Sequence, residues 1–163
     1  MTPTDGPVFG KGASHVSDVR FTHALTPDQK TLSILFENFS IRLEPGGAPV
    51  AARMVLIVFP LTGGTADTMA KVDLRGAATL QAGATGTVIV RAFGETHVLE
   101  PLFDTANPGT EESFMKELTL KVPAGRNTDM TLILIAERGP NLRDETRVTL
   151  DAIEMSVGPA KAT

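Results

Sequence analysis

The chain contains no cysteine, no tryptophan and no tyrosine. Without cysteine it can form neither a disulfide nor a thiolate metal site. The absent tryptophan and tyrosine are the rings that sugar-binding sites and protein interfaces favour. Eight phenylalanines are present. Aliphatic side chains must therefore fill most of the core.

The chain also lacks any excess of positive charge. Its 163 residues include 15 Lys and Arg against 19 Asp and Glu, a net charge of −4. No basic cluster occurs, which argues against a nucleic-acid partner. No apolar run approaches the roughly 18 residues of a membrane span. Residues 1–7 have neither a basic start nor an apolar segment, which predicts no signal peptide.

Short runs of alternating apolar residues, separated by turns rich in Gly and Pro, extend along most of the chain. Such runs are typical of strands, and no segment shows a long helical period. The pattern predicts an all-β protein: a single-domain antiparallel β-sandwich, jelly-roll-like, with roughly nine strands and no long helix. A closed barrel is the structural alternative. The predicted strands are residues 17–22, 31–43, 50–59, 69–80, 85–93, 98–102, 114–122, 130–136 and 146–157.

The predicted sandwich domain spans residues 15–158. Residues 1–14 are rich in Gly, Pro and Ser and predict an extended N-terminal arm, and residues 159–163 form a C-terminal tail. The length fits one domain with a substantial core.

The alternation changes phase inside two of the predicted strands. In residues 31–43 the apolar positions change from even to odd, and in residues 146–157 they do the same. A strand cannot change phase without extra residues, because its side-chain period is two. We therefore predict a β-bulge or bend near Glu37–Asn38 and a second bulge near Asp151–Ala152.

Two other segments, residues 54–59 and 130–136, are apolar at nearly every position. A strand with one face in water should alternate between apolar and polar residues. The unbroken apolar sequence of these two strands therefore predicts that both of their faces are covered. Leu134 is expected in the core. With no helix available, the cover must be a loop, the arm or another subunit, and we predict a homo-oligomer, a fibre or another protein partner. The interface candidates are Met54, Leu56, Val58, Ile133 and Ile135.

Acidic residues offer a candidate cation site. Carboxylate oxygens are the ligands that Ca²⁺ prefers, and the final strand resembles that of jelly-roll carbohydrate-binding modules. The calcium candidates are Asp104, Glu111, Glu112 and Asp151; a solvated acidic loop beside an ordinary strand is the alternative. No other cofactor is predicted.

Catalytic patterns are absent. His15, His23 and His97 have no metal-ligand spacing to another ligand. Ser14, His15 and Asp18 include triad residue types, but a triad requires convergence in space. The sequence therefore predicts a protein that is not an enzyme.

Several motifs together resemble a known family. Residues 25–39 read LTPDQKTLSILFENF, residues 72–76 read VDLRG, residues 80–83 read LQAG, and residues 141–150 read NLRDETRVTL. Their order and spacing resemble the domain-of-unknown-function family 4360, a set of mostly secreted bacterial and fungal proteins. The resemblance covers about residues 10–157 and implies a fold but no activity.

The chain departs from that family in its cysteines. By motif position, Ala13 and Met54 occupy places where the family has cysteine. It would therefore be a divergent, cysteine-free relative. The resemblance implies secretion, whereas the lack of a signal peptide and of cysteine favours the cytoplasm, so the location stays open.

These observations predict a non-catalytic structural or self-associating β-sandwich protein. The alternative is a carbohydrate- or surface-binding module, with a structural calcium as an option. The sequence identifies no small-molecule ligand.

Overall fold

The computed structural model describes residues 8–9, 14–15, 19–62, 68–103, 108–123, 128–139 and 144–158. Every regular element in these residues is a strand. The described part of the chain therefore contains no helix with the length and hydrophobicity that crossing a membrane requires. The strands are β1 (Val8–Phe9), β2 (Ser14–His15), β3 (Phe21–Leu25), β4 (Thr31–Phe36), β5 (Ser40–Leu43), β6 (Val50–Phe59), β7 (Leu61–Thr62), β8 (Thr68–Thr79), β9 (Thr85–Ala92), β10 (Glu95–Leu99), β11 (Glu111–Val122), β12 (Thr128–Glu137) and β13 (Thr146–Val157).

The strands form two antiparallel sheets that pack face to face, which confirms the predicted β-sandwich. The five-stranded sheet has the order β10-β9-β12-β6-β2. The six-stranded sheet has the order β11-β8-β13-β4-β3, and β5 also pairs with β13. A small two-stranded pair, β1 and β7, completes the strands. From β5 onward the chain passes repeatedly between the two large sheets, so neighbours in sequence often lie in opposite layers.

The core lies between the two sheets and is almost entirely aliphatic. Successive residues of β8 alternate between the core and the solvent: Val72 and Leu74 are fully buried, whereas Lys71 and Arg75 are exposed. Gly76 lies on the buried side, as the alternation predicts. The strands therefore follow the period-two rule that makes one face of a sheet apolar. Phenylalanine rings contribute to this core as well, for example Phe9, which packs against Phe59 with ring centroids 5.3 Å apart.

The two predicted phase changes are present and lie opposite each other. In β13, Asp151 is an extra residue: Leu150 pairs with Gly76 of β8, whereas Ala152 pairs with Arg75. The facing strand is interrupted at the same level, so that β4 and β5 pair with the two halves of β13. The chain bends at Glu37 and Asn38, between β4 and β5, which confirms the bulge or bend predicted there.

Backbone groups released by this interruption find other partners. The backbone N–H of Leu150 donates to the carbonyl of Phe39 at 3.0 Å. The Arg53 guanidinium, on the opposite sheet, donates to the carbonyl of Asn38 at 2.6 Å and to that of Ser40 at 3.2 Å. These bonds satisfy acceptors that would otherwise be lost with the ladder.

Thirteen described strands replace the roughly nine that were predicted. Three of them, β1, β2 and β7, have only two residues, and β4 and β5 divide one predicted strand. The arm contributes to the fold, since Phe9 is fully buried and its N–H donates to the carbonyl of Gln29 at 2.9 Å. The C-terminal tail, residues 159–163, lies outside the described residues.

Leu134 tests the core assignment. It is fully buried on β12, whereas Leu35 on β4 is 58% exposed. Leu134→Ala should lower the free energy of unfolding by roughly 2–5 kcal/mol through lost burial and a cavity. Leu35→Ala, the same change on an outer face, should cost less than about 0.5 kcal/mol. Urea unfolding measures both, and a cost below about 1 kcal/mol for Leu134→Ala would contradict the assignment.

Gly76 tests the contact between β8 and its neighbours. A Cβ built there would overlap the backbone carbonyl oxygen of Thr149 and lie 2.5 Å from Cζ of Phe114. Gly76→Ala should therefore destabilise the fold by about 3 kcal/mol or more, because a backbone atom cannot move aside cheaply. Gly158→Ala is the matched control, since its Cβ would meet nothing within 4 Å. Equal unfolding midpoints for the two variants would refute this packing.

Candidate functional site: an apolar sheet face

Strands β6 and β12 form the middle of the five-stranded sheet and pair along their full lengths. On β12, Leu132 and Leu134 are fully buried against the other sheet, as are Val55 and Ile57 on β6. The residues between them must point the other way, because successive side chains alternate. The unbroken apolar sequence of these strands therefore supplies two faces, of which only one lies in the core.

All five predicted interface candidates lie on this outward face. Ile133 is directly opposite Met54, and Ile135 is opposite Ala52. Leu56 and Val58 continue the same face along β6, opposite Thr131 and Asp129. The structure therefore brings together residues that are far apart in sequence.

The apolar surface extends beyond the residues predicted from sequence. Ile133 also pairs with Ile89 of β9, and Ile89 pairs with Val98 of β10. Val98, Ile89, Ile133 and Met54 thus form one row of aliphatic side chains across four strands, here called the apolar row. The apolar face comprises this row and its neighbours Leu56, Val58 and Ile135.

The apolar face is open to solvent in the described structure. Met54 and Val98 are each 56% exposed and Val58 is 39% exposed, while the other four are half-buried by their neighbours. Scattered exposed apolar residues are common on protein surfaces, but contiguous patches mark interaction sites.

The face is longest on β6. There it extends from Met54 to Val58, which at about 3.4 Å per residue is about 14 Å. On β12, the polar residues Thr131 and Asp129 lie opposite Leu56 and Val58.

Charged residues lie at the margins of the apolar face. Arg91 on β9 is opposite Thr131 of β12, and this pair lies two residues along the strands from the apolar row. Glu137 on β12 is opposite Val50 at the other end of the sheet, and Asp129 is opposite Val58. Arg91 and Glu137 are exposed, and neither forms an ion pair with another described residue.

Charged side chains also protect two sheet edges. On β10, Glu95 and His97 lie on the inner face, since they pair with the buried Ala92 and Val90. Lys116 on β11 likewise lies on the inner side, opposite the buried Leu74. Glu95 also accepts the backbone N–H of Lys121 at 2.7 Å, which occupies a donor on the edge of β11. Inward-facing charges are a common device against edge-to-edge pairing.

The predicted calcium ligands are only partly brought together. Glu111 and Glu112 are successive residues of β11 and so point to opposite faces, and Asp104 lies outside the described residues. Among the described residues, no group of three or more acidic or histidine side chains could hold a metal ion. The calcium site stays a prediction.

Asp151, the remaining calcium candidate, is the extra residue of the β13 bulge. Partial burial raises the pKa of its carboxyl above the usual value of 3.8, and the negative charge of Glu111 acts in the same direction. A raised pKa indicates an environment that favours the neutral acid.

The described histidines do not form a catalytic arrangement. His23 on β3 is exposed, with its ring centroid 6.5 Å from that of Phe21. His97 Nε2 lies 3.3 Å from Glu95 Oε1 on the same strand. The side chains of Ser14 and His15 lie outside the described set. The absence of enzymatic activity therefore stays a prediction.

No protein-family model and no curated protein matches the chain. Among solved structures, the chain resembles the CBM22-1 xylan-binding domain from Paenibacillus barcinonensis Xyn10C. The sequences are 16% identical, and the match covers 99% of this chain and 91% of that chain with a TM-score of 0.19. A TM-score of this size supports no conclusion about function, and the resemblance to family 4360 stays a prediction.

Asp151 provides a test of the bulge environment through pH. Its raised pKa means that the ionised carboxylate opposes folding at pH values above that pKa, and that this opposition disappears below about 3.8, where the carboxyl is neutral in both states. Asp151→Asn should therefore raise the melting temperature at pH 7, and the gain should vanish near pH 3.

Asp28 is the matched control with the opposite sign. The Thr26 hydroxyl and the backbone N–H of Lys30 donate to its carboxylate and lower its pKa. Its stabilising effect is present above pH 3.8 and is lost as the pH falls through the lowered pKa. Asp28→Asn should therefore not raise the melting temperature at pH 7. A gain for Asp28→Asn, or none for Asp151→Asn, would contradict the two environments.

Proposed function

We propose that the protein is a non-catalytic structural module that associates with itself through the apolar face of its five-stranded sheet. The observation that carries this proposal is the apolar row, which crosses four strands without a polar interruption. Burying this face would release water from aliphatic surface at about 25 cal/mol per Å².

The chemistry of the two faces supports sheet-on-sheet association. The inner face of the same sheet, with Val55, Val88 and Leu132, packs against another sheet in the core. The outer face carries aliphatic residues of the same types along the apolar row, with polar residues such as Thr87 and Thr131 beside it. Sheet faces of this kind pack about 10 Å apart in sandwiches. A second sheet is therefore a natural cover for the apolar face.

The sheet edges support the use of the face. Glu95 and His97 on β10, and Lys116 on β11, place charge where an added strand would need an apolar inner surface. Such edges resist the addition of another strand. Association through the face requires no free backbone group and is unaffected by these charges.

Carbohydrate binding is the second function that the sequence leaves open, and it has less structural support. Sugar-binding faces rely on exposed aromatic rings. All eight phenylalanines of the chain are described, and all are buried or half-buried. The aromatic residues of the chain therefore serve the core.

Ile133 provides the direct test of self-association. Ile133→Arg places a charge in the middle of the apolar row and should dissociate the assembly, because a buried unpaired charge costs several kcal/mol. Light scattering after size exclusion at about 0.1 mM protein, well above micromolar dissociation constants, should give a multimer for the wild type and a monomer for the variant.

Ser33→Arg is the matched control. Ser33 is half-buried in the middle of the outer face of the six-stranded sheet, opposite Glu154. The same substitution there should leave the assembly intact. Circular dichroism must show that both variants remain folded. The proposal is wrong if the wild type is monomeric at this concentration, or if Ile133→Arg remains assembled.

A further inference from the structure

We infer that the partner of the apolar face is a second copy in a closed twofold dimer, in which Arg91 of each copy faces Glu137 of the other. This inference rests on the proposed self-association and adds the number of copies and their orientation. It is carried by the positions of charged residues relative to the apolar row.

Arg91 and Glu137 lie on opposite sides of the apolar row. Arg91 is two residues from Ile89 along β9, and Glu137 is four residues from Ile133 along β12, in the other direction across the row. At about 3.4 Å per residue, Arg91 lies about 7 Å to one side of the row and Glu137 about 14 Å to the other. Because β9 and β12 are neighbouring strands, Arg91 and Glu137 are separated across the sheet by only about 4.8 Å.

These offsets define a symmetry axis. The twofold axis lies in the interface and runs across the strands. It is about 3 Å from the apolar row, on the side of Ile135. Rotation about this axis brings Arg91 of one copy to the level of Glu137 of the other. The same axis places Ile133 of one copy over Ile135 of the other. Aliphatic side chains would then pack against each other while the strand directions remain within the roughly 30° typical of packed sheets.

The charges disfavour the other simple arrangement. An axis along β12 would place Glu137 of one copy over Glu137 of the other, since the residue lies on that strand. Like charges held face to face destabilise an interface. In the transverse arrangement, two symmetry-related Arg91–Glu137 pairs lie at the margin.

The arrangement also limits the assembly to two copies. A twofold interface uses the same surface of both partners, so each apolar face is fully occupied in the dimer. The outer face of the six-stranded sheet is different, because Glu117, Asp73 and Glu154 lie side by side across β11, β8 and β13. A third copy would meet these charges there in place of an apolar row.

Charge exchange tests the orientation. Arg91→Glu and Glu137→Arg should each weaken dimerisation about tenfold or more, because each puts like charges at both pairs of the dimer. The double variant restores opposite charges and should recover the wild-type dissociation constant within about threefold. Sedimentation equilibrium of the full chain at low salt measures all three, and the single-variant losses should shrink in about 0.5 M salt.

Arg20→Glu is the control, since Arg20 is exposed and precedes β3 in the other sheet. It should leave dimerisation unchanged. Unaffected single variants, an unrescued double variant, or growth beyond two copies would each overturn the inference. If Ile133→Arg still dissociates the assembly in those cases, self-association stands and only the orientation or copy number is wrong. If Ile133→Arg also has no effect, both proposals fail.

Discussion

The period-two alternation of side chains, applied to strands that share one core, is the constraint on which this structure depends. Once Val72 and Leu74 of β8 point inward, the residues between them are committed to the outside. A slip of one residue would exchange the two sets completely. The Asp151 bulge and the interruption between β4 and β5 allow the alternation to restart without exposing the core.

The same constraint makes the two outer faces chemically different. On the six-stranded sheet, the outward positions of β8 carry Lys71, Asp73 and Arg75, and Lys71 pairs with Glu117 at 3.4 Å. On the five-stranded sheet, the outward positions of β6 and β12 are largely aliphatic. The two outer faces of the sandwich therefore differ in polarity. Inward-facing charges lie on the edge strands β10 and β11.

Much of the fold follows from the sequence because alternation is a local property. Residues 50–59 and 146–157 are predicted with the observed bounds, and the bulge at Asp151 follows from a change of phase. Strand order does not follow, because pairing partners such as β6 and β12 are chosen by the whole sheet and lie far apart in the chain. The two-residue strands β1, β2 and β7 are too short to show any period.

The candidate site was predictable only in part, for similar reasons. Met54 and Ile133 could be singled out because their strands are apolar without interruption. Ile89 lies in a short unbroken apolar stretch, Val88 to Val90, and the same pattern could have identified it as an outward apolar residue. Val98 was placed in a strand that was predicted too late, since β10 already begins at Glu95. The cause is the two-residue hairpin turn, in which Phe93 (φ 53°) and Gly94 (φ 77°) both have left-handed backbone. Such turns usually contain Asn-Gly or Asp-Gly, so the sequence Phe-Gly does not predict one.

The position of β13 within its sheet has a consequence for how the chain is made. This strand pairs with β8 on one side and with β4 and β5 on the other, yet it is synthesised after all of them. While the ribosome still holds that segment, β8 and β4 have open backbone edges and the core lacks Leu150 and Ile153. A chain in this condition exposes apolar surface and unpaired strand edges, both of which favour aggregation. Closure of the six-stranded sheet therefore depends on the last strand of the chain to be synthesised.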